Sequence, residues 1–449
     1  MLTVSVISGG TATNSMVQML EQLSSSISYI MPISDNGGST SEIIRVVGGP
    51  AIGDIRSRCT RIIPTDPPIS NSLRDLLCHR LPVDEVDAQA EWSQIVNGTH
   101  PMWVGVPSHY REMVRPFFIK VGAEFLKRSR PGREFVYSSA SVGNLFLTGA
   151  RLFTGSLESA VEMMLRITHV SHDTEVLPAL NTNFMHHIAA LLHNGTVIYG
   201  QSQISHPEEP SIDSLSVEAD PEMVPTTAPL GPGKPRSCSI DGEDAHMPFT
   251  HPDLTNSQLN FSKSYQVPLE SPIRRVFYIN PFGLEIHPKA STRVQRALAE
   301  SNCVIYSIGS LYTSLIPVLL LRGMADSIET ELENGQTKTK VMLLNGSPDR
   351  ETSGMSAIEH VEAVIKACLY SKLQRECTPQ EISDCDWTRF LTHVLSPYEL
   401  PAVCLKELKD HNIGVIQMKE KEVDEDGKPI YDQKALLREL TELNHCTTK

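Results

Sequence analysis

The sequence lacks the cysteine patterns of disulfide frameworks and of zinc sites. Its nine cysteines are scattered over 449 residues, with no CxxC pair and no spacing typical of a metal site. Reduced thiols of this kind are typical of cytosolic proteins, since disulfide frameworks belong mainly to exported chains. We therefore expect a cytoplasmic protein.

Long apolar runs and an excess of positive charge are also missing. No uninterrupted apolar run approaches the roughly 18 to 20 residues that a membrane-spanning helix needs. The formal net charge is −14 at pH 7, which disfavours binding to nucleic acids and anionic membranes. We therefore expect no nucleic-acid partner and no membrane partner. An anionic ligand would have to be held by local groups, such as arrays of backbone N–H groups.

Three common motifs are absent. The chain contains no GxGxxG, no Walker A loop and no GxSxG nucleophile elbow. The missing GxGxxG disfavours an oxidoreductase, although Asp35 follows Gly10 at about the distance of a ribose-binding acid in dinucleotide folds. We therefore expect no nicotinamide or flavin cofactor.

Apolar runs that alternate with helical patterns predict the fold class. Residues 2–8 form a β-branched run that ends at Gly9-Gly10, and helix-period apolar positions follow from Met16 to Leu23. A second run covers residues 28–33 and is followed by another helical pattern. Further strands are predicted at 195–199, 276–279, 303–307 and 341–344. Strands that alternate with helices imply an α/β fold, with a mostly parallel sheet and helices on both faces.

Periodicity and composition divide the chain into five predicted segments. Residues 206–271 contain 10 of the 30 prolines and few large aliphatic residues, so they bury too little apolar area to offset their ordering entropy. We predict a disordered insertion there. The other predicted segments are the first part of the core (1–80), a helical insertion or lid (81–137), the continued core (138–205), and the second core part with C-terminal helices (272–449).

Two glycine-rich turns follow the first two predicted strands. At Ser8-Gly9-Gly10-Thr11, glycine allows close backbone approach to a ligand, and the next helix offers N–H groups and a positive dipole end to phosphate. Asp35-Asn36-Gly37-Gly38-Ser39-Thr40 repeats this arrangement and adds a carboxylate. Three roles fit Asp35: binding a ribose, binding a divalent metal, or capping the next helix. Two such turns on consecutive strands favour a shared ligand site.

Two further turns extend the predicted site. Gly53-Asp54-Ile55-Arg56 supplies a guanidinium, which binds phosphate oxygens as a bidentate fork. Gly309-Ser310-Leu311-Tyr312-Thr313-Ser314 follows a predicted strand at 303–307, at the strand end where open α/β sheets bind ligands. Surface ion pairing of the arginine, and a purely structural role for the tight turns, are the alternatives.

The order of these turns resembles a known family. GGT at 9–11, D-x-GG-S-T at 35–40, GDIR at 53–56, VGN at 142–144 and GSLYTS at 309–314 follow the pattern of the CofD/YvcK-like family. That family includes 2-phospho-L-lactate transferase of deazaflavin-cofactor biosynthesis and a bacterial gluconeogenesis factor that binds nucleotide sugar. The resemblance runs through residues 2–80, 138–203 and 272–368. Asn36 stands where family members commonly carry a second Asp.

The resemblance implies a Rossmann-like sheet and a nucleotide diphosphate laid across Gly9, Gly10 and Thr11. It implies Asp35 close to the ligand or to a magnesium ion, so Asp35 and Arg56 are the catalytic candidates and Asp35 is the metal candidate. The remaining candidate ligand-binding residues are Asn36, Gly37, Gly38, Ser39, Asp54, Asn144, Gly309, Ser310, Tyr312 and Thr313.

Two functions follow from the resemblance. The first is a transferase of phosphorus-containing groups that acts on a nucleotide-activated substrate, with magnesium as a candidate cofactor. The second is a non-catalytic metabolic regulator that binds a nucleotide sugar. In both, the expected partner is a small-molecule nucleotide or nucleotide sugar. The sequence leaves the oligomeric state open, with a homodimer as one option.

Overall fold

The computed structural model describes residues 2–34, 39–131, 133–205, 251, 254, 268–332, 335, 337–419 and 421–446. The predicted catalytic residue Asp35, and Asn36, Gly37 and Gly38 with it, lie outside the described residues. So does the predicted disordered insertion, except for residues 251, 254 and 268–271.

The strands within the described residues are, in chain order, β1 (Thr3–Ile7), β2 (Ser26–Met31), β3 (Thr174–Pro178), β4 (His187–Leu192), β5 (Val197–Tyr199), β6 (Ile273–Ile279), β7 (Glu285–Ile286), β8 (Cys303–Tyr306), β9 (Thr339–Leu343), β10 (His393–Ser396), β11 (Gly414–Gln417), β12 (Lys421–Val423) and β13 (Pro429–Tyr431).

The α-helices within the same residues are α1 (Val17–Leu23), α2 (Ser39–Val47), α3 (Gly53–Arg61), α4 (Pro68–Cys78), α5 (Glu85–Asn97), α6 (Ser108–Arg128), α7 (Val142–Thr154), α8 (Leu157–Ile167), α9 (Gln201–Ser205), α10 (Thr292–Glu300), α11 (Ile316–Leu319), α12 (Met324–Glu329), α13 (Ala357–Leu373), α14 (Pro379–Ser383), α15 (Ala402–Asp410) and α16 (Gln433–Cys446).

Seven strands form one parallel sheet in the order β11-β10-β9-β8-β1-β2-β3, which confirms the predicted α/β fold class. The first strand is apolar on both faces, with Val4, Val6 and Ile7 buried, because helices cover both sides of such a sheet. The strand order reverses at β1, whose neighbours are β2 and β8. A crevice opens at such a switch point, beyond the carboxyl ends of the strands.

A second, smaller sheet stands apart from the first. Its order is β5-β4-β6-β7 and its strands pair antiparallel. The strands predicted around 195–199 and 276–279 are therefore real, but they lie outside the parallel sheet. Leu254 is buried against Ala189, Phe277 and Ile279 of this sheet, and the ring of His251 stacks on Tyr199 with 4.1 Å between centroids.

The region at 81–137 is helical and packs on the body of the domain. Phe117 and Phe118 of α6 meet Phe146 of α7 edge to face, with ring centroids 5.3 and 6.2 Å apart. Gly149 of α7 permits this close approach, since a Cβ there would clash with the Phe117 carbonyl oxygen. The aromatic cluster at Phe117-Phe118 therefore joins this region to the core.

A hairpin near the C-terminus covers one end of the parallel sheet. Strands β12 and β13 pair antiparallel. The Tyr431 hydroxyl lies 2.9 Å from the Leu344 carbonyl oxygen and 2.7 Å from the Leu395 carbonyl oxygen, at the ends of β9 and β10. The Pro429 carbonyl oxygen presses on Gly346, where no Cβ would fit. The hairpin is thus fixed to the edge of the sheet where the crevice opens.

Candidate functional site

A crevice of about 820 Å³ lies at the switch point between β1 and β8. Turns after β1, β8 and β9, the first turns of three helices and the C-terminal hairpin form its wall. The structure brings nine of the predicted site residues together in this wall: Gly9, Gly10, Thr11, Ser39, Asp54, Arg56, Asn144, Gly309 and Ser310. That they contact a ligand stays a prediction.

The first turn is tightly packed against the start of α3. A Cβ at Gly10 would lie 2.7 Å from the Cα of Asp54, and a Cβ at Gly9 would lie 2.6 Å from Ser314 Oγ. The two glycines thus have a packing role in addition to the proposed approach of a ligand. A 3-10 helix at Ala12–Met16 follows the turn and leads into α1.

Arg58 supports the first turn from inside the protein. It is fully buried, and its guanidinium donates to the Gly9 carbonyl oxygen at 3.2 Å and to the Ser8 hydroxyl at 3.4 Å. The guanidinium also lies over the Tyr29 ring, 4.7 Å from the centroid. Burial lowers the pKa of Arg58 to about 10, which leaves it charged at neutral pH. Arg58 therefore holds the shape of the turn.

The second turn reaches the crevice through the start of α2. Ser39 and Thr40 line the crevice, and the Asn144 side-chain nitrogen donates to both hydroxyls, at 3.2 and 3.3 Å. Asn144 belongs to the first turn of α7 and is buried. The predicted D-x-GG-S-T and VGN motifs therefore meet at one point.

Two arginines from different parts of the chain line the crevice. Arg56 on α3 and Arg80, which follows α4, both line it. The pKa of Arg56 is lowered, chiefly by burial and then by the positive charge of Arg80. The guanidinium of Arg80 donates to the Ser139 carbonyl oxygen at 3.2 Å. This positive region supports the prediction of an anionic ligand, and Arg80 was not among the predicted residues.

The fourth turn is tied to its neighbours by side-chain amides and hydroxyls. Gly309 has φ +134°, a conformation that favours glycine. Its N–H donates to Asn345 Oδ1 at 2.9 Å, and Asn345 Nδ2 donates to the Gly309 carbonyl oxygen at 2.8 Å. The Thr13 hydroxyl donates to Ser307 Oγ at 2.9 Å, within range also of the Ile308 carbonyl oxygen at 3.1 Å. The first and fourth turns are therefore in direct contact.

Tyr312 and Thr313 do not line the crevice, which differs from the prediction. Their N–H groups donate to Glu351 Oε2 at 3.0 and 3.1 Å, and the Thr313 hydroxyl donates to Glu351 Oε1 at 2.5 Å. The Glu351 carboxyl group thus occupies the backbone donors of two residues that were predicted to bind the ligand. Glu351 is buried, and burial raises its pKa to about 8, with the nearby charge of Asp349 adding to the effect.

The hairpin supplies a part of the wall that the sequence did not reveal. Glu422 and Asp424 of this segment line the crevice together with Lys428. The Asp424 carboxylate also accepts the Lys428 backbone N–H at 2.8 Å and so shapes the hairpin turn. The hairpin therefore adds two carboxylates and one lysine to a wall that also contains Asp54, Arg56 and Arg80.

Some of the crevice residues that were not predicted carry a weak signal in the sequence. Asn345-Gly346-Ser347 follows the predicted strand at 341–344 and is a glycine turn at a strand end, like the four that were singled out. Arg80 and the hairpin residues carry no such signal, because only the folded chain places them at the crevice.

No group of three or more His, Cys, Asp or Glu in the described part of the chain is arranged to hold a metal ion. The magnesium prediction rests on Asp35, which the structure does not describe. Within the same residues, no helix has both the length and the apolar character needed to cross a membrane. None of the described residues 81–137 lines the crevice, so the structure gives no support to a lid there.

Comparison at the level of sequence gives three findings. A family model described as 2-phospho-L-lactate transferase CofD matches residues 4–435. The chain is 41% identical to the uncharacterized protein YNL011C of Saccharomyces cerevisiae over 407 residues, which is 88% of this chain and 90% of that protein. It is 22% identical to a protein of Halalkalibacterium halodurans named gluconeogenesis factor, over 81% of this chain and 73% of that protein.

A solved structure shares the fold. The crystal structure of a UPF0052 family member from Bacillus halodurans matches with a TM-score of 0.57 at 17% identity, covering 100% of this chain and 99% of that one. At this identity, the match supports the architecture of the sheet and its surrounding helices.

Proposed function

Because this chain belongs to the CofD family, we propose that it binds a nucleoside diphosphate-type ligand in the crevice and transfers a phosphate-containing group from it. One observation carries the proposal. The first turns of α2, α3 and α7 and the Gly9–Thr11 turn all line one crevice at the switch point of the parallel sheet. Helix N-termini attract phosphate through their N–H groups and their positive dipole ends.

In the proposed reaction, a hydroxyl of the acceptor attacks the distal phosphorus of the ligand. A P–O bond to the acceptor forms, the P–O bond to the nucleotide breaks, and a nucleoside monophosphate leaves while the hydroxyl proton passes to solvent. The protein holds the two substrates and stabilises charge on the phosphate oxygens. Backbone N–H groups at the first turn are the proposed donors, and the Arg56 guanidinium supplies positive charge nearby. Asp35 is proposed to orient the attacking hydroxyl or a magnesium ion.

A regulatory role is the second candidate. The name of the Halalkalibacterium halodurans relative, gluconeogenesis factor, gives a metabolic role and no reaction. Under this alternative, the same crevice binds a nucleotide sugar without breaking it. Binding is common to both functions, and turnover separates them.

Calorimetric titration with UDP, GDP and NAD⁺ tests binding. We expect UDP or GDP to bind and NAD⁺ not to bind, and failure of every uridine and guanosine diphosphate compound would contradict the proposal. Phosphorus NMR of the protein with a nucleotide-linked diphosphate and candidate acceptors then tests turnover. Release of a nucleoside monophosphate indicates a transferase, whereas binding without release favours the regulator.

Asp35 provides a more specific test. If Asp35 contacts ribose or metal, Asp35→Ala weakens nucleotide binding and leaves the unfolding temperature unchanged. If it caps α2, the variant loses about 1 kcal/mol of stability and binds normally. Calorimetry and thermal melts of the same preparation separate the two roles.

A further inference from the structure

Arg56, Arg80 and the start of α7 form one cluster in the wall of the crevice. The backbone of Arg80 makes a β-bridge with Ser141, whose hydroxyl caps α7 by accepting the Asn144 N–H at 3.4 Å. The aliphatic part of Arg56 lies against Gly143, since a Cβ there would be 2.9 Å from Arg56 Cγ. Both arginines are thus held at the N-terminus of a 13-residue helix.

The cluster contains a buried donor without a partner. Arg56 Nε is buried and has no hydrogen-bond partner within the described residues. The positive charge of Arg80 lowers the pKa of Arg56 and does so more strongly than the nearby Asp54 carboxylate raises it. An oxyanion would stabilise two guanidinium groups beside a helix N-terminus, because the oxyanion accepts charge-assisted hydrogen bonds from both guanidinium groups.

Asn144 adds an independent sign of a ligand. Its side chain is 2% exposed, and its Oδ1 has no partner in the described part of the chain although Asn144 lines the crevice. Its other amide atom bonds the hydroxyls of Ser39 and Thr40, which donate as readily as they accept. A half-turn of the amide keeps both bonds and presents Nδ2 as a donor instead. An oxyanion at this point selects that orientation.

The cluster lies on a different side of α3 from the first glycine turn. Asp54 packs on Gly10, whereas Arg56 packs on Gly143. Residues two apart on a helix point in nearly opposite directions. The first turn of α3 therefore separates the Gly9–Thr11 turn from the arginine cluster.

We propose that Arg56, Arg80 and Asn144 form a second anion subsite, which binds a phosphate or carboxylate outside the nucleotide diphosphate itself. This inference rests on the proposed function, in which the diphosphate lies on Gly9–Thr11. The subsite then selects ligands whose non-nucleotide part carries a negative charge. The anion is either part of the nucleotide-linked ligand or a separate molecule.

A pair of nucleotide sugars tests whether the subsite binds an anion that is part of the nucleotide-linked ligand. UDP-glucuronate and UDP-glucose differ in one carboxylate, so calorimetry of both with the full chain isolates its contribution. We expect wild-type protein to prefer UDP-glucuronate by about tenfold, the effect of one charge-assisted hydrogen-bond pair, and Arg80→Ala to remove the preference. Arg74→Ala is the matched control, since Arg74 bonds Asn71 on its own helix and does not line the crevice.

Titration of inorganic phosphate into protein saturated with UDP tests whether the subsite binds an anion that is a separate molecule. We expect phosphate to bind beside UDP in wild type and in Arg74→Ala, and at least about tenfold more weakly in Arg80→Ala and Arg56→Lys. The subsite is disproved if phosphate only competes with UDP and the two sugars bind alike, or if Arg80→Ala behaves as wild type in both titrations. If no nucleotide binds while phosphate binding still depends on Arg80, the subsite stands and the proposed function fails.

Discussion

Gly9 and Gly10 meet different kinds of neighbour, so their substitution has different effects. A Cβ at Gly10 would lie 2.7 Å from the backbone Cα of Asp54, which cannot move without shifting α3. A Cβ at Gly9 meets the side chain of Ser314. We expect Gly10→Ala to cost about 1–3 kcal/mol of unfolding free energy and Gly9→Ala less. Urea unfolding checks the order.

The double variant Gly9→Ala/Ser314→Gly serves as the control. It removes the side chain that the new methyl group meets, so we expect it to be as stable as the single variant Ser314→Gly, which carries the cost of a glycine within a helical turn. Equal losses in the two single alanine variants would show that packing against Asp54 does not limit the first turn.

Glu351 makes the stability of the protein depend on pH. Burial raises its pKa from an ordinary 4.5 to about 8. Between these values the folded protein keeps a proton that the unfolded chain has lost. The stabilisation is therefore complete below pH 4.5 and declines as the pH rises towards 8, by at most about 1.4 kcal/mol per pH unit.

The variant Glu351→Gln keeps an oxygen acceptor for the two N–H groups and cannot ionise. We expect the wild-type free energy of unfolding to fall relative to that of the variant as the pH increases from 5 to 8. Urea titrations at four pH values measure this difference. Parallel curves would mean that Glu351 ionises in the folded protein at its ordinary pKa.

At the scale of elements, a contact with the small antiparallel sheet limits the part of the predicted insertion at 206–271 that we expect to be dispensable for folding. Leu254 is buried against that sheet. We expect deletion of residues 206–249 with a short linker to change the unfolding free energy by less than about 1 kcal/mol, since loop closure depends weakly on length. We expect Leu254→Ala to cost about 2–4 kcal/mol. A large loss in the deletion variant, measured by urea unfolding, would show that 206–249 stabilises the fold.

The attachment of the C-terminal hairpin should affect both the stability of the fold and the affinity for nucleotide. The Tyr431 hydroxyl is the partner of two buried carbonyl oxygens at the ends of β9 and β10. We expect Tyr431→Phe to cost about 1–2 kcal/mol and to weaken nucleotide binding, because the hairpin wall loses its attachment. Tyr398→Phe is the control, since the Tyr398 hydrogen bonds run through its backbone. Normal nucleotide affinity in Tyr431→Phe would exclude the hairpin from the binding site.

The sequence predicted those elements whose signal is local. Alternating apolar runs and glycine turns located β1, β2, β8 and β9, and the turns that follow them. The sequence predicted strands at 195–199 and 276–279 but not their antiparallel pairing in a second sheet, because pairing of β4 with β6 spans a long insertion and leaves no local trace. Glu351 was missed for a similar reason: its partners Tyr312 and Thr313 lie 39 and 38 residues away. Spacing alone therefore could not show that their donors were already used.

At the scale of the whole molecule, the crevice joins distant parts of the chain, so a ligand there should stabilise the entire fold. We expect the unfolding temperature to rise with nucleotide concentration, by the equivalent of about 2.7 kcal/mol at 100 times the dissociation constant. Thermal melts with UDP or GDP measure the shift, and NAD⁺ at equal concentration is the control. A shift with NAD⁺ alone would contradict the proposed ligand class.

The pairing of β1 with β8, which the contact of Thr13 with Ser307 accompanies, has a consequence for protein synthesis. Strand β1 pairs with β2 on one side and with β8 on the other. One edge of β1 therefore stays unpaired until the ribosome has synthesised almost 300 further residues. At typical translation rates, this delay is roughly 15–60 s. An unpaired apolar strand edge is prone to aggregation during that time. The nascent chain should therefore depend on chaperones until β8 leaves the ribosome, and binding competence should first appear only in chains that have passed that point.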